Sequence, residues 1–172
     1  MIRPSLTVTE AIRFANHDFL NDLQLIQMNL DLERVEDAKK IIQQITAQCR
    51  TSSNIGRLHM PLLNEWLLTV RWRFPSFQYN ISSNVDASTV IHLDAEIVQY
   101  LENTVIHLND KLDPYYEQHL SITVESTKEA FKLMVHFSGK FEMTPFDGKI
   151  TELTVHTYEQ TNTSWKYVLE RN

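Results

Sequence analysis

His17 opens the string His17-Asp18-Phe19-Leu20-Asn21-Asp22-Leu23-Gln24, in which an imidazole is followed by a carboxylate and, four residues on, by a carboxamide. A ring nitrogen that carries no proton is a nucleophile toward electrophilic phosphorus, so the chemistry on offer is phosphoryl acceptance. One helical turn separates His17 from Asn21, which places Asn21 to contact the group that His17 carries or the molecule attacking it. Asp18 projects about 100° from His17 on a helical wheel, so it is expected to meet a docked partner rather than orient the ring.

Such a histidine needs a helix to hold it and a core to hold the helix. Thr7 and Glu10 have capping-box spacing and should start a helix. An apolar stripe then runs through Ile12, Ala15, Phe19, Leu23, Ile26 and Leu30 at steps of three and four. With Ile12 set at zero on the wheel, His17 falls near ~140°, Asn21 near ~180°, Gln24 near ~120° and Met28 near ~160°. These four therefore share a mostly polar band facing away from the stripe, with Gln24 and Met28 available to dock a partner. A turn is expected over Asn29–Glu33. A second stripe follows at Val35, Ala38, Ile42, Ile45, Cys49 and Ser52, with Gly56 as the helix stop and Cys49 as a small core residue. Two amphipathic helices cannot bury both stripes alone, and no second hairpin follows, so pairing with a second copy into a four-helix bundle is the natural solution.

The remainder reads as an α+β unit, with domains expected at 1–58 and 59–172. Pro61 can open a third helix that stops before Pro75. Phe77, Tyr79 and Ile81 alternate as in a strand, and 94–112 is helical with Ile97, Leu101, Leu108 and Leu112 on one face. Alternating segments then appear at 120–124, 131–137, 153–158 and 165–169, giving a largely antiparallel sheet with one face packed on helices.

Composition narrows the function. Only three glycines occur in 172 residues (Gly56, Gly139 and Gly148), against about twelve at the usual frequency. No two are close enough to form the glycine loops that let backbone approach a nucleotide phosphate. A net charge of −6 argues against nucleic acid as a partner. The single Cys49 suits a reducing cytoplasm, Met1–Ser5 lacks the apolar region of a signal peptide, and no run is long enough to span a membrane, so a soluble cytoplasmic protein is expected.

The His17-Asp18-x-x-Asn21 core resembles the phosphoacceptor motif of bacterial sensor histidine kinases. Extended through Leu23-Gln24-Leu25-Ile26 and Asn29-Leu30, then through the second helix and the Pro61–Trp72 segment, the chain resembles the sporulation initiation phosphotransferase B family. The resemblance is specific over about 11–75 and looser beyond, where the helix at 94–112 and the His119–Val124 segment fit in order and type. It implies a dimer built on a four-helix bundle, a carboxy-terminal domain shaped like a histidine-kinase ATP domain that no longer binds ATP, and phosphorylation on His17 with Asp18 and Asn21 beside it.

An autokinase would need glycine-rich boxes after the 94–112 helix. Phe146-Asp147-Gly148 is a lone turn sequence, and Asn103 and Asn109 read as solvated residues rather than metal ligands. The expectation is therefore a relay between two response regulators, with no cofactor or metal bound by this chain and Mg2+ on the regulator. A non-catalytic dimeric scaffold that binds regulators without transfer is the alternative, against which the intact His17–Asn21 pair weighs. The other histidines, at 59, 92, 107, 119, 136 and 156, lack metal-motif spacing and read as surface or edge residues. Trp66, Trp72, Tyr115 and Tyr116 are expected to pack domains together.

Overall fold

A computed structural model describes residues 6–171; Met1–Ser5, read above for a leader, and Asn172 lie outside the described residues. The chain divides into two compact units between Arg50 and Thr51.

The first unit is helical, made of α1 (Val8–Asp31) and the larger part of α2 (Val35–Gly56). Thr7 caps α1 as a capping box: its hydroxyl accepts the Glu10 N–H at 3.2 Å, and the Thr7 N–H donates to Glu10 Oε2 at 2.8 Å. Those bonds from Thr7 hold the Glu10 carboxyl below its ordinary range. The helix runs on past Asn29, so the turn is shorter than expected. Asn29 is buried inside α1, its side chain donating to the Leu25 carbonyl at 2.8 Å, and the chain reverses over Leu32–Arg34 with Glu33 at φ 59°.

The expected apolar stripe is not the shielded face of α1. The less exposed positions are Ala11, Phe14, Asp18, Asp22, Ile26 and Asn29, whereas Ile12, Ala15, Phe19, Leu23 and Leu30 are exposed. On α2, Ala38 is buried and Ile41 and Ile45 half-buried, while Ile42 stands exposed. Cys49 is exposed too, a correction to its core assignment: at its end of the stripe this single chain leaves the face uncovered, although Ala38 is buried and Ile45 half-buried further back.

The second unit begins with the last turns of α2. Gly56 does not stop this helix through a left-handed turn. Arg57, Leu58 and His59 close it with N–H bonds to the carbonyls three residues back, and His59 takes the left-handed conformation at φ 53°. Then come α3 (Pro61–Arg73), β1 (Gln78–Val85), a short 3-10 turn (Ile91–Leu93), α4 (Asp94–Asn109), β2 (His119–Ser126), β3 (Phe131–Ser138), β4 (Thr154–Gln160) and β5 (Ser164–Arg171). Helix α4 ends at Asn109, short of the expected Leu112, which instead bridges Phe141.

The five strands form one sheet in the order β1-β2-β3-β5-β4; β1 and β2 run parallel through the α4 crossover and the other pairs are antiparallel. Alternation places Leu120, Ile122 and Val124, Leu133, Val135 and Phe137, and Trp165, Tyr167 and Leu169 in one core with Leu63, Trp66, Leu67 and Val70 of α3 and Ile97, Leu101, Val105 and Leu108 of α4. The fold is thus α+β, a helical amino-terminal region followed by a helix-covered sheet.

Two polar anchors join α3 to α4. Helix α3 lacks a side-chain cap of its own, and Asp94, buried at the start of α4, takes that role: its two oxygens accept the N–H groups of Leu62 (2.9 Å) and Leu63 (2.8 Å). Further along, the Glu102 carboxylate receives the Trp66 indole N–H at 2.7 Å and pairs with the Arg73 guanidinium.

Candidate functional site

His17 sits in the middle of α1 with its side chain 79% exposed. Nothing local interrupts the helix, since the cap lies three turns before and the reversal four turns after, and the ring is presented from a continuous backbone. Its Nδ1 stands 3.3 Å from Oδ1 of Asp18. This corrects the reading that Asp18 is turned away from the ring. The 100° of the wheel describes where Cβ atoms point, and the outer atoms of two short side chains close that gap. With Nδ1 engaged by a carboxylate, Nε2 is the nitrogen left to react.

Asn21, Gln24 and Met28 follow His17 at steps of four, three and four residues and are all exposed, forming one stripe down the helix. Asn21, exposed one turn on, makes no hydrogen bond to His17. Alongside lie Phe19, Leu20, Leu23 and Leu30, each between 44% and 57% exposed.

The second unit explains what became of the space between α4 and the sheet. The β3–β4 connection carries no regular structure over 142–150, and Phe146 reaches from it into an aromatic cluster. Its ring lies edge-on to Tyr100 (5.6 Å between centroids), His107 (5.3 Å) and Trp165 (5.2 Å). Gly148 is required here, because a Cβ at that position would fall 2.2 Å from the Phe146 ring. The Phe146-Asp147-Gly148 string is therefore a packing turn. His107, expected at the surface, is half-buried in this cluster and accepts or donates at the Thr144 hydroxyl at 3.1 Å.

Of the remaining histidines, His92 pairs with Glu152 (3.0 Å), His119 with Glu117 (3.8 Å), His156 with Glu170 (3.0 Å) and His136 with Ser164 (3.1 Å). No group of three or more His, Cys, Asp or Glu among the described residues is arranged to hold a metal. Trp66 is core, as its indole bond to Glu102 requires, but Tyr115 and Tyr116 are 92% and 54% exposed, contrary to the packing role expected for them. The Asp113-Pro114 turn projects them outward, Asp113 accepting the Tyr115 N–H at 3.0 Å. No helix among the described residues is long and apolar enough to cross a membrane.

Comparison with known proteins places the chain. Residues 2–58 match the family model for the alpha-helical domain of the SpoOB-type sensor kinase, and residues 59–168 match that for the carboxy-terminal domain of sporulation initiation phosphotransferase B. The chain belongs to the sporulation initiation phosphotransferase B family. A curated relative, sporulation initiation phosphotransferase B of Bacillus subtilis, is 25% identical over 133 residues, covering 74% of this chain and 67% of the relative. Among solved structures, a bacterial phosphotransferase aligns over 98% of this chain and all of its own (11% identity, TM-score 0.40). The histidine kinase AdeS of Acinetobacter baumannii aligns over 91% and 97% (10% identity, TM-score 0.42). Family membership carries phosphotransferase activity and a place in a phosphorelay with it.

Proposed function

We propose that this protein carries a phosphoryl group on Nε2 of His17, taking it from the phospho-aspartate of one response regulator and giving it to the aspartate of a second, in the cytoplasm and in the initiation of sporulation. The observation that carries this reading is the pairing of an exposed imidazole with Asp18 through Nδ1. With the Nδ1 proton donated to Asp18, the Nε2 lone pair attacks phosphorus in line. The N–P bond forms as the bond to the acyl oxygen of the donor breaks, and the donor leaves as a carboxylate. The ring becomes cationic in the step, and the Asp18 carboxylate offsets that charge. Transfer to the second regulator is the same displacement reversed, with no proton taken up or released by the ring.

The magnesium that neutralises the phosphoryl oxygens is assigned to the regulators, and this chain binds no cofactor of its own. What it contributes is placement: a stiff helix, an accessible nitrogen, Asn21 beside the transferred group, and Gln24 and Met28 as docking contacts. We assign the exposed apolar residues of both helices, among them Ile12, Phe19, Leu23, Leu30, Val35 and Ile42, to the interface of a homodimeric four-helix bundle. So many large apolar side chains exposed on one hairpin support that assignment.

Incubation with a response regulator phosphorylated on aspartate tests the reading. Acid-labile, base-stable label should appear on the wild-type chain and be absent from His17→Gln. Equal labelling of His17→Gln would refute the mechanism, and binding of the regulator without any label on the wild type would make the protein a scaffold.

A further inference from the structure

The last turn of α2 and the segment after β1 border an open groove of about 450 Å³, whose two sides carry the exposed charges of Arg57 and Asp86. On one wall stand Ser53, Arg57 and His59; on the other stand Asp86 and Ser88. Among the described residues, neither Arg57 nor Asp86 is ion-paired, and His59 makes no hydrogen bond beyond that of its backbone N–H to the Gly56 carbonyl. The Ser88 hydroxyl is buried without a partner, an arrangement that costs free energy unless something answers it. His59 is also one of the few residues of the chain in the left-handed backbone region (φ 53°), which a side chain with a Cβ adopts at a cost.

The walls are held rigidly. The Asn54 side chain grips the end of β1 from both sides, Oδ1 accepting the Val85 N–H at 2.8 Å and Nδ2 donating to the Val85 carbonyl at 3.4 Å. The Ser83 hydroxyl donates to the Thr51 carbonyl at 3.1 Å, and the Asp86 N–H donates to the Ser126 carbonyl at 2.8 Å. Arg57 and Asp86 thus line opposite sides of one groove whose backbone frame is fixed by these bonds.

We propose that this pocket binds a small zwitterion of the free amino acid class. The Arg57 fork matches a carboxylate, for which paired N–H donors are suited. Asp86 takes the ammonium group. Ser53, His59 and Ser88 supply the remaining hydrogen bonds. A simple anion fits less well, because Asp86 repels it. The site is separate from His17 and makes no use of phosphoryl chemistry.

The test is calorimetric titration of the full chain with the twenty amino acids singly, and with inorganic phosphate and acetate as single-charge probes. At least one amino acid should bind saturably at one site per chain, while phosphate and acetate should not. Arg57→Met and Asp86→Asn should each weaken that binding roughly tenfold or more, as the loss of one charge-assisted hydrogen bond does. Gly56→Leu serves as a second probe: a Cβ there meets nothing within 4 Å, so the fold tolerates added bulk at this groove-lining position, which should weaken binding. His17→Gln should bind as the wild type does. Absence of saturable amino acid binding would overturn the proposal, as would binding indifferent to Arg57→Met and Gly56→Leu. Phosphate binding strengthened by Asp86→Asn would overturn it in favour of an anion site.

Discussion

Oδ1 of Asp18 lies 3.3 Å from Nδ1 of His17, close enough to choose which ring nitrogen keeps its proton. In the free protein the pair is solvent-exposed and contributes little to stability. On the proposed mechanism it gains weight when a regulator covers the site and excludes water, as the ring acquires positive charge. Asp18→Asn should therefore leave unfolding unchanged and slow phosphoryl uptake roughly tenfold, the kinetic equivalent of weakening one charge-assisted hydrogen bond. Rapid-quench measurement of label transfer from a phosphorylated regulator checks it. An unaltered rate would return Asp18 to the docking role that its wheel position suggested.

The bundle assignment predicts a concentration-independent dimer by analytical ultracentrifugation. Phe19→Glu, at a residue 56% exposed in the single chain, should shift the population toward monomer. A charge on a truly solvated face would leave both mass and stability where they were.

Asp94 accepts two backbone N–H groups of α3 from a buried position. Asp94→Ala strands both donors and should destabilise the sheet domain by about 1–3 kcal/mol in urea unfolding. Asp94→Asn, which keeps one acceptor oxygen, should fall between the wild type and Asp94→Ala.

At the other end of the same helix pair, Arg73 and Glu102 are 11% and 9% exposed. Glu102→Leu alone leaves a guanidinium buried without its counter-charge, at a cost of roughly 3–5 kcal/mol. The double variant Arg73→Met, Glu102→Leu should recover much of that loss, although Trp66 would still lack its acceptor. A double-mutant cycle in denaturant reads the difference.

Burial pushes the Tyr100 phenol up to about 12 from its ordinary 10. The unfolded chain therefore ionises first, and between pH 10 and 12 it binds fewer protons than the folded one, so stability falls as pH rises through that window. The loss from this residue is roughly 2–3 kcal/mol. Tyr100→Phe should flatten part of the alkaline decline; a residual slope is expected from Tyr167, whose buried phenol is also raised.

The sequence by itself determined the elements, because what sets them is local. Thr7 and Glu10 announce the start of α1, Pro61 and Pro75 bracket α3, and alternation marks β2 and β3. It also placed His17 on an exposed face, although the apolar stripe opposite that face is largely exposed as well. Two things were beyond its reach for a common reason. Which face of α1 is shielded within the chain depends on how the neighbouring helix is set, and the shielded face mixes Phe14 and Ile26 with Asp18, Asp22 and Asn29, so composition does not mark it. Ile12 and Phe19 look like core by their type and are exposed, whereas Asp18 looks like surface and is the less exposed neighbour that meets the His17 ring. Likewise nothing along the chain pairs Asp94 with Leu62 and Leu63, Glu102 with Trp66, or Phe146 with Tyr100 and Trp165. These partners are separated by 19 to 46 positions, and only the packing of α3, α4 and the sheet around one core brings them within hydrogen-bond or ring contact.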